Sequence, residues 1–331
     1  MCTLSIVIPV YNEEANVRPL CKKIQVVCET LGETYEILFV DDGSQDNTIK
    51  ELAELHKEVG ELRVIQFEKN AGQTAAMAAG LEFARGARIV SMDGDLQNDP
   101  DDIPKLLNKL DEGYDLVCGW RKKRQDKLLT RRIPSVIANW IIAKVMGVEI
   151  HDNGCSLKSY RASVIKQVPL YGEMHRFIPA LSTVAGARIG EIVVTHHPRQ
   201  FGTSKYGLGR VWRVMLDIIA FKCIISIFRQ NPDPKKPLFP KCRMLNRFFT
   251  RRCKRRPLRF FGPLGAITFT LSTILTIGLS KINTGVGPSL LLMGSGVFTF
   301  CFGLFGELIS FDNAKHLKDY RVKTVMDNQK Q

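Results

Sequence analysis

The sequence has no paired cysteine motif and no leader of the secretory type. Its nine cysteines are scattered along 331 residues and form no Cys-x-x-Cys pair, which argues against both a zinc site and a disulfide framework. The first residues also lack a basic region followed by an apolar one. We therefore expect no secretory signal peptide and a catalytic part that faces the cytoplasm.

Acidic residues are scarce in one part of the chain. Residues 229–256 contain eleven lysines and arginines but a single acid, so this segment carries most of the formal net charge of +14. A strongly basic chain would suit a nucleic-acid surface, but these cations lie beside an apolar run. That position favours a segment that lies against a membrane surface.

Charge is absent altogether from two long stretches, residues 260–280 and 288–306. At about 1.5 Å per residue each can cross a hydrocarbon core of about 30 Å, the shorter one with tilt or flanking residues. Buried helices of a large soluble core are the alternative. The residues before the first stretch are basic and the loop between the two carries one charge, so we predict a transmembrane hairpin with both ends in the cytoplasm.

Apolar strands alternate with amphipathic helices in the first part of the chain. Strands are predicted at 4–10, 35–40, 62–67 and 88–92, with helices at 14–30, 46–59 and 73–84. Such alternation predicts an α/β fold with a mostly parallel sheet that is covered by helices on both faces. We place a nucleotide-binding half at residues 1–120.

Two acidic pairs follow predicted strands, Asp41-Asp42 and Asp93-Gly94-Asp95. One such pair on its own is more often a solvated turn. Ligands of open α/β sheets bind outside the carboxyl ends of the strands, so two acidic strand ends suggest one shared crevice. Because Mg²⁺ and Mn²⁺ are often held by one or two carboxylates plus substrate phosphates, we predict a metal–diphosphate site at Asp93 and Asp95.

Residues 133–146 and 207–228 are predicted to form amphipathic helices, which carry Trp140 and Trp212 and have basic residues beside or within them. Helices of this kind suit the boundary between lipid headgroups and acyl chains. For the first of them an ordinary core helix is an equal alternative.

Six short motifs follow one another along the chain: Ile8-Pro9-Val10-Tyr11-Asn12-Glu13-Glu14, Val40-Asp41-Asp42-Gly43-Ser44, Asn70-Ala71-Gly72, Met92-Asp93-Gly94-Asp95-Leu96-Gln97, Asp152-Asn153-Gly154-Cys155 and Phe201-Gly202-Thr203-Ser204-Lys205-Tyr206. In this order they resemble the family 2 glycosyltransferases of GT-A fold over residues 4–228, and among these the polyisoprenyl-phosphate glycosyltransferases. The resemblance implies a GT-A nucleotide-sugar-binding domain at 1–228, a basic juxtamembrane insertion at 229–259, the hairpin at 260–309 and a cytoplasmic tail at 310–331. We expect this polar tail to be surface-bound or disordered.

The resemblance also implies roles for individual residues. Nucleotide contacts are implied for Pro9, Tyr11, Glu13, Asp41 and Asp93. A Mg²⁺ or Mn²⁺ ion is implied at Asp93, Asp95 and Gln97. Contacts with the acceptor phosphate are implied for Arg121, Arg132, Ser135 and Lys205. Catalytic roles are implied for Asp95, Asp152 and Arg199. Arg199 and Lys205 would contact the donor or acceptor phosphate, and Asp152 could act as a base, orient a substrate or only cap a turn.

The implied reaction is the inverting transfer of a sugar from a nucleotide-sugar donor to a membrane polyisoprenyl phosphate, with undecaprenyl phosphate favoured as the acceptor. A UDP-sugar is the favoured donor, and GDP-mannose also fits. The implied location is the plasma (inner) membrane with several spans and a cytoplasmic catalytic domain. A homo-oligomer packed through the hairpins is compatible with the family.

Other functions stay open on the sequence alone. A processive polysaccharide synthase usually carries Gln-x-x-Arg-Trp and more spans, whereas here Arg121 follows Trp120 in the opposite order. A transferase with a soluble acceptor would leave the hairpin unexplained. A non-catalytic membrane adaptor would need a damaged site, but the acids and Arg199 are present. A nucleic-acid binder would need its cations spread over the sheet domain.

Overall fold

The computed structural model describes residues 2–122, 144, 147–148, 150–168, 170, 172, 174–184, 186–198, 209–229, 256–279, 286–312 and 320–328. The chain divides into two compact units, which we call the sheet unit (Met1–Lys205 with Lys318–Gln331) and the helical unit (Tyr206–Leu317). The predicted helix at 133–146, apart from Lys144, and nearly all of the basic segment 229–256 lie outside the described residues.

The sheet unit is built on a sheet in which the described residues form eight strands, in the order β7-β5-β6-β4-β1-β2-β3-β8. The strands are β1 (Leu4–Val10), β2 (Tyr35–Asp41), β3 (Leu62–Phe67), β4 (Arg88–Ser91), β5 (Leu116–Trp120), β6 (Lys158–Arg161), β7 (Ile189–Val193) and β8 (Val322–Met326). β6 and β8 run antiparallel to their neighbours, and the other pairs are parallel. All seven residues of β1 are buried, as expected for a parallel strand covered on both faces.

Helices connect and cover these strands. They are α1 (Glu14–Leu31), α2 (Thr48–Glu58), α3 (Gln73–Phe83), α4 (Ile103–Asp111), α5 (Ala162–Ile165) and α6 (Ile178–Val184). The helix predicted at 14–30 matches α1, and its residues at helical spacing, Val17, Leu20, Ile24 and Val27, are all buried. One helix face buried against a buried sheet produces a large hydrophobic core in this unit.

The tail returns to the sheet and supplies its last strand. Val322–Met326 pairs antiparallel with β3, and the ring of Tyr320 stacks on Phe67 with centroids 4.8 Å apart. Asp327 pairs with Arg63 and Arg85. The described part of the tail is therefore an ordered edge strand, where we had expected a segment bound at the surface or disordered.

The helical unit contains α7 (Gly209–Arg229), α8 (Pro257–Leu279) and α9 (Val286–Asp312). Two glycines let α8 and α9 approach closely. A Cβ atom on Gly265 would lie 2.6 Å from the carbonyl oxygen of Gly296, and one on Gly296 would lie 2.8 Å from the backbone nitrogen of Phe269. Small residues at the contact are typical of helix pairs that pack in a membrane.

Both long helices are apolar on the outside. Pro257–Gly278 and Gly287–Asp312 are long and apolar enough to cross a membrane, and only 17% and 22% of their most apolar windows are buried. Exposed side chains include Leu291 at 78% and Phe298 at 72%. A water-soluble core helix would bury these side chains, so the outward apolar faces support the predicted hairpin.

Charged side chains lie inside the helical unit. Arg256 Nη1 is 3.3 Å from Asp217 Oδ1 and 3.0 Å from Glu307 Oε1. Arg259 Nη2 is 2.5 Å from Asp217 Oδ2. Asp217, Arg256 and Glu307 are each no more than 7% exposed. This network joins α7, the start of α8 and the last turns of α9, and the members that the structure describes are two cations and two anions.

Candidate active site

The carboxyl ends of three neighbouring parallel strands lie together. In the register of the sheet Val10 is opposite Asp41 and Val7 is opposite Ser91. The loops that follow β1, β2 and β4 therefore leave the sheet at one edge, as the acidic strand ends had predicted. Ligands of open α/β sheets bind at this kind of edge.

Hydrogen bonds join the loops after β1 and β2. The backbone N–H of Asn12 donates to Ser44 Oγ at 2.9 Å, and Gln45 N donates to Asn12 Oδ1 at 2.8 Å. Asn12 has a φ of 54°, a left-handed conformation that asparagine adopts more easily than most residues. The neighbouring Tyr11 and Glu13 are held between these bonds, because Glu13 N donates to Thr48 Oγ1 at 2.8 Å.

Pro9 and Asp41 close the ends of β1 and β2, and both are buried. The carboxylate of Asp41 accepts a hydrogen bond from Ser44 N at 3.2 Å. Burial raises the pKa of Asp41, and the hydrogen bonds from Ser44 offset this only in part. A buried carboxylate at a strand end, held by a single loop, is a suitable acceptor for hydroxyl or N–H groups of a ligand.

Asp42 has a different role from Asp41, because it holds a neighbouring loop. Its carboxylate accepts hydrogen bonds from Asn70 Nδ2 at 2.9 Å, from Ala71 N at 2.7 Å and from Gly72 N at 2.9 Å. Gly72 has a φ of 98°, which disfavours any residue with a side chain. Asp42 therefore fixes the motif Asn70-Ala71-Gly72, and this loop sets where α3 begins.

The first residue of α3, Gln73, reaches the acidic loop after β4. Its Nε2 donates to Asp93 Oδ1 at 2.8 Å. On the other side Asp93 N points at Asn98 Oδ1 at 3.4 Å. Sequence reasoning did not single out Gln73 or Asn98, because an isolated amide residue carries no motif. Only the hydrogen bonds of the folded chain show that both residues hold Asp93.

The acidic loop itself runs close to the end of β1. A Cβ atom on Gly94 would lie 2.5 Å from Val10 Cγ1, so the loop needs glycine there. Asp95 is 8% exposed and accepts a hydrogen bond from Gln97 N at 3.2 Å. Leu96 has a φ of 61° and is buried. This strained, well-packed turn holds the two carboxylates one residue apart.

The donor set suits a hard divalent cation. Asp93 and Asp95 supply carboxylate oxygens, and Gln97 donates its Nε2 to His197 O at 3.4 Å, which leaves its amide oxygen. No cluster of three or more His, Cys, Asp or Glu side chains that could hold a metal ion occurs among the described residues. An ion bound here would take most of its ligands from a substrate diphosphate, as Mg²⁺ commonly does.

Arg121 and Asp152 form a two-point ion pair beside this loop. Arg121 Nε donates to Asp152 Oδ2 at 2.7 Å and Nη2 donates to Oδ1 at 2.9 Å. Burial lowers the pKa of Arg121, but the hydrogen bonds to Asp152 and the charges of Asp152 and Asp93 raise the pKa overall. Arg121 therefore lies in the field of Asp93. Sequence reasoning named both partners but did not predict the pair.

The loop that carries Asp152 is joined to the acidic loop. Ser156 Oγ donates to Asn98 Oδ1 at 2.8 Å, and Ser91 Oγ donates to Ser156 O at 2.8 Å. Asp152 is also fixed by its own backbone N–H, which donates to Glu191 Oε1 at 3.0 Å. The structure thus brings the Asp93–Asp95 loop and the Arg121–Asp152 pair to one place.

Two histidines near the site make contacts with side chains of the sheet unit. His151 stacks on Trp120 and its Nδ1 lies 2.7 Å from Glu191. His197 Nε2 lies 2.8 Å from Asp99 Oδ2. Four predicted site residues, Arg132, Ser135, Arg199 and Lys205, lie outside the described residues.

Comparison with known proteins gives a family and a fold. The family described as Glycosyl transferase family 2 matches residues 5–168. The chain is 41% identical to a dodecaprenyl-phosphate galacturonate synthase of Rhizobium johnstonii, with 99% of this chain and 94% of that one covered. It is 39% identical to an undecaprenyl-phosphate 4-deoxy-4-formamido-L-arabinose transferase of Salmonella paratyphi B, with 98% and 93% covered.

Solved structures extend the comparison to three dimensions. Glucosyl-3-phosphoglycerate synthase of Mycobacterium tuberculosis, in complex with Mn²⁺, UDP and phosphoglyceric acid, superposes with a TM-score of 0.52 at 18% identity. The superposition covers 72% of this chain and 82% of that one. The same enzyme with Mn²⁺ and UDP-glucose gives a TM-score of 0.51 at 18% identity, covering 72% and 84%. At this identity the likeness concerns the fold alone.

Proposed function

This chain belongs to glycosyl transferase family 2 and is a glycosyltransferase, and from that premise we propose that it transfers a sugar from a nucleotide-sugar donor to a membrane polyisoprenyl phosphate. The observation that carries the proposal is the near full-length identity to two transferases whose names specify a polyprenyl phosphate. The two outward-facing apolar helices support an acceptor that stays in a bilayer.

At the donor end, Asp41, Tyr11 and Glu13 bind the base and ribose of the nucleotide, with Pro9 as part of the wall. Asp41 is buried at the end of β2, where its carboxylate can accept hydrogen bonds from ribose or base. The hydrogen bonds between the loops after β1 and β2 keep this half of the site rigid before the donor binds. A UDP-sugar is the favoured donor, and GDP-mannose is the alternative.

At the diphosphate, Asp93 and Asp95 hold Mg²⁺ or Mn²⁺, with the amide oxygen of Gln97 as a further ligand. Such an ion supplies Lewis-acid stabilisation of the negative charge on the departing nucleoside diphosphate. Gln73 and Asn98 orient Asp93 through the bonds described above. We assign the remaining cationic contacts to Arg199 and Lys205, for which the family resemblance implies contact with the donor or acceptor phosphate.

At the acceptor end, Arg121 binds the lipid phosphate together with Arg132 and Ser135. Asp152 occupies Arg121 Nε and Nη2, so we assign the contact with the phosphate to Nη1. Asp152 then acts as a positioning residue for this guanidinium. A phosphate monoester is already anionic at neutral pH and needs placement more than a base. A single in-line displacement at the anomeric carbon would invert the configuration at that carbon.

The membrane arrangement follows from the charges and the hairpin. The chain spans the plasma (inner) membrane twice through α8 and α9, with the sheet unit in the cytoplasm. The eleven lysines and arginines of the basic segment 229–256 would be attracted by anionic headgroups. Association of several chains through their hairpins is compatible with this arrangement.

The test uses purified full-length protein in lipid nanodiscs that contain undecaprenyl phosphate. Radiolabelled UDP-galacturonate, other UDP-sugars, GDP-mannose and a nucleotide-activated formamido-arabinose are supplied with Mg²⁺ or Mn²⁺, and sugar in the lipid fraction is counted. We expect one donor to label the lipid, and Asp95→Asn to reduce this labelling by at least about 100-fold, because the displaced diphosphate loses its ion.

The matched control is Asp101→Asn, an exposed acid six residues further along, which should keep wild-type activity. Labelling of the lipid by the Asp95 variant at the wild-type rate would remove the metal assignment. A wild-type protein that labels only polysaccharide or a water-soluble acceptor would remove the lipid assignment.

A further inference from the structure

Arg176 differs from the other arginines of the sheet unit. Those with a carboxylate partner are Arg18, Arg63, Arg85, Arg88, Arg121 and Arg161. Arg188 and Arg321 are exposed, and Arg188 lies over the ring of Tyr114. Arg176 is half-buried and has no carboxylate partner among the described residues.

One atom of this side chain is left unsatisfied. Arg176 Nε is buried and has no hydrogen-bond partner among the residues that the structure describes. A guanidinium stays charged at every pH at which a protein folds, and its nitrogens are donors only. Buried donors in native proteins are nearly always paired, so an unpaired one needs an explanation. A bound anion would satisfy both the charge and the N–H group.

The position of Arg176 connects it to the active site. It lies in the 3-10 turn Met174–Phe177, and the first and last residues of this turn are 1% and 2% exposed. His175 Nδ1 lies 2.7 Å from Thr74 Oγ1 in the first turn of α3. The residue before Thr74 is Gln73, which holds Asp93. The turn that carries Arg176 is thus fixed to the helix end that forms one side of the acidic loop.

The same helix end favours negative charge. α3 is eleven residues long and begins at Gln73, so the positive end of its dipole faces the region of Asp93 and of the turn. The packed residues on either side of Arg176 fix its backbone. A cation on a rigid turn beside a helix amino terminus is well placed to bind an anion.

We propose that Arg176 binds an oxyanion of a substrate of the transfer reaction, an inference that rests on the proposed function. The planar fork of arginine matches carboxylate and phosphate groups equally well. Two sources supply this chemistry: the carboxylate of a uronic-acid sugar on the donor, or the phosphate of the lipid acceptor. In the first case Arg176 selects the donor sugar, and in the second it adds to acceptor binding.

The experiment compares wild type with Arg176→Gln in the full-length protein. Binding of UDP-galacturonate and UDP-galactose, which differ only at C6, is measured by titration calorimetry with Mn²⁺ present. The KM for undecaprenyl phosphate is measured with whichever donor the protein uses. Loss of a charge-assisted pair should weaken the donor affinity, or raise the KM for the lipid, by about 10- to 100-fold.

The two sources give different patterns. If Arg176 binds a sugar carboxylate, the variant loses affinity for UDP-galacturonate about 10- to 100-fold and for UDP-galactose by less than about threefold. If it binds the lipid phosphate, both nucleotide sugars bind as before and the KM for the lipid rises. The calorimetry needs no acceptor, so it remains informative even if transfer to a polyprenyl phosphate fails.

Arg188→Gln is the matched control, since it removes the same charge from an arginine that has no carboxylate partner and lies outside the site. Equal donor affinities and equal lipid KM in the Arg176 and Arg188 variants overturn the proposal. Should Arg176→Gln fail to fold, Arg176→Lys keeps the charge and should show the same pattern more weakly. Failure of both variants to fold overturns the proposal as well, because Arg176 is then structural.

Discussion

The sheet unit and the helical unit place apolar and charged residues in opposite ways. β1 buries all seven of its residues, and the ion pairs of α1 with α2 lie at the surface, with Arg18 and Glu51 each about one-third exposed. In the helical unit Leu291 and Phe298 face outward, while Asp217 and Glu307 are buried. The difference is the one expected if the two units fold against different surroundings, water for the sheet unit and lipid for the helical unit, as we propose.

The charges serve different purposes as well. In the helical unit two acids and two arginines neutralise one another and connect three helices. At the edge of the sheet, Asp93 and Asp95 are held by amide and backbone N–H groups. Buried balanced pairs hold a structure together, whereas carboxylates at the carboxyl end of a strand can offer oxygen atoms to a metal ion. Three substitutions can break or sharpen this contrast.

The largest effect is expected for Asp217→Asn. It leaves the buried Arg256 and the half-buried Arg259 with Glu307 as the remaining acid among the described residues of the network, so we expect the free energy of unfolding to fall by about 3–5 kcal/mol. The measurement is unfolding of the full-length protein in mixed detergent micelles. Lys222→Gln, which removes an exposed charge from the same helix, should change stability by less than about 0.5 kcal/mol. Equal effects of the two variants would show that the network does not stabilise the unit.

The next largest effect is expected when an exposed apolar residue is replaced by aspartate in the helical unit, in comparison with the same change in the sheet unit. Phe298→Asp puts a charge near the middle of α9, on a side chain that is 72% exposed. If this face meets lipid, insertion should cost about 2.5–3.5 kcal/mol, and the yield of protein in washed membranes should fall sharply. Val26→Asp changes a side chain that is 64% exposed on α1. Facing water, it should alter stability by no more than about 0.5 kcal/mol. Equal tolerance at both positions would contradict the lipid-facing assignment.

The smallest effect concerns pH and the donor half of the site. Burial raises the pKa of Asp41, so the folded chain keeps a proton that the unfolded chain releases from about pH 4 upward. Stability from this group is present at low pH and is lost as pH rises through the folded pKa. The Asp41→Asn variant has no titrating group at this position. Its melting temperature should therefore fall less than that of wild type when the pH rises through the same range. If the melting temperatures of wild type and Asp41→Asn change in parallel with pH, burial does not raise the pKa of Asp41.

Much of the fold was predictable because both units follow simple periodicities. The predicted α/β sheet and the family resemblance are confirmed by the family match and by the solved structures. Two helices long and apolar enough to cross a membrane are present where the sequence predicted them. A helix is seen at Gly209–Arg229, close to the bounds predicted for the second amphipathic helix, 207–228. Apolar runs and acidic strand ends are local signals, so the sequence alone was sufficient to find them.

Contacts between distant residues could not be predicted in the same way. Arg121 and Asp152 are 31 residues apart in the sequence, and neither segment contains a pattern that predicts their pairing. β8 is five residues long and alternates Val322, Thr324 and Met326 with Lys323 and Val325, which is a weak strand signal in a polar tail. Its partner β3 lies near the other end of the chain. The roles predicted for Pro9, Tyr11, Glu13 and the acidic loop stay proposals.

The pairing of β8 with β3 has a consequence for how the protein is made. Tyr320 binds Glu82, a residue 238 positions earlier, so translation has to reach the last residues before the edge of β3 is covered. By then both apolar helices have left the ribosome. Until that moment β3 presents unpaired backbone groups to neighbouring nascent chains, which is a known route to aggregation. A chain released before residue 322 should accordingly precipitate or be degraded even though every strand of the catalytic edge is already present.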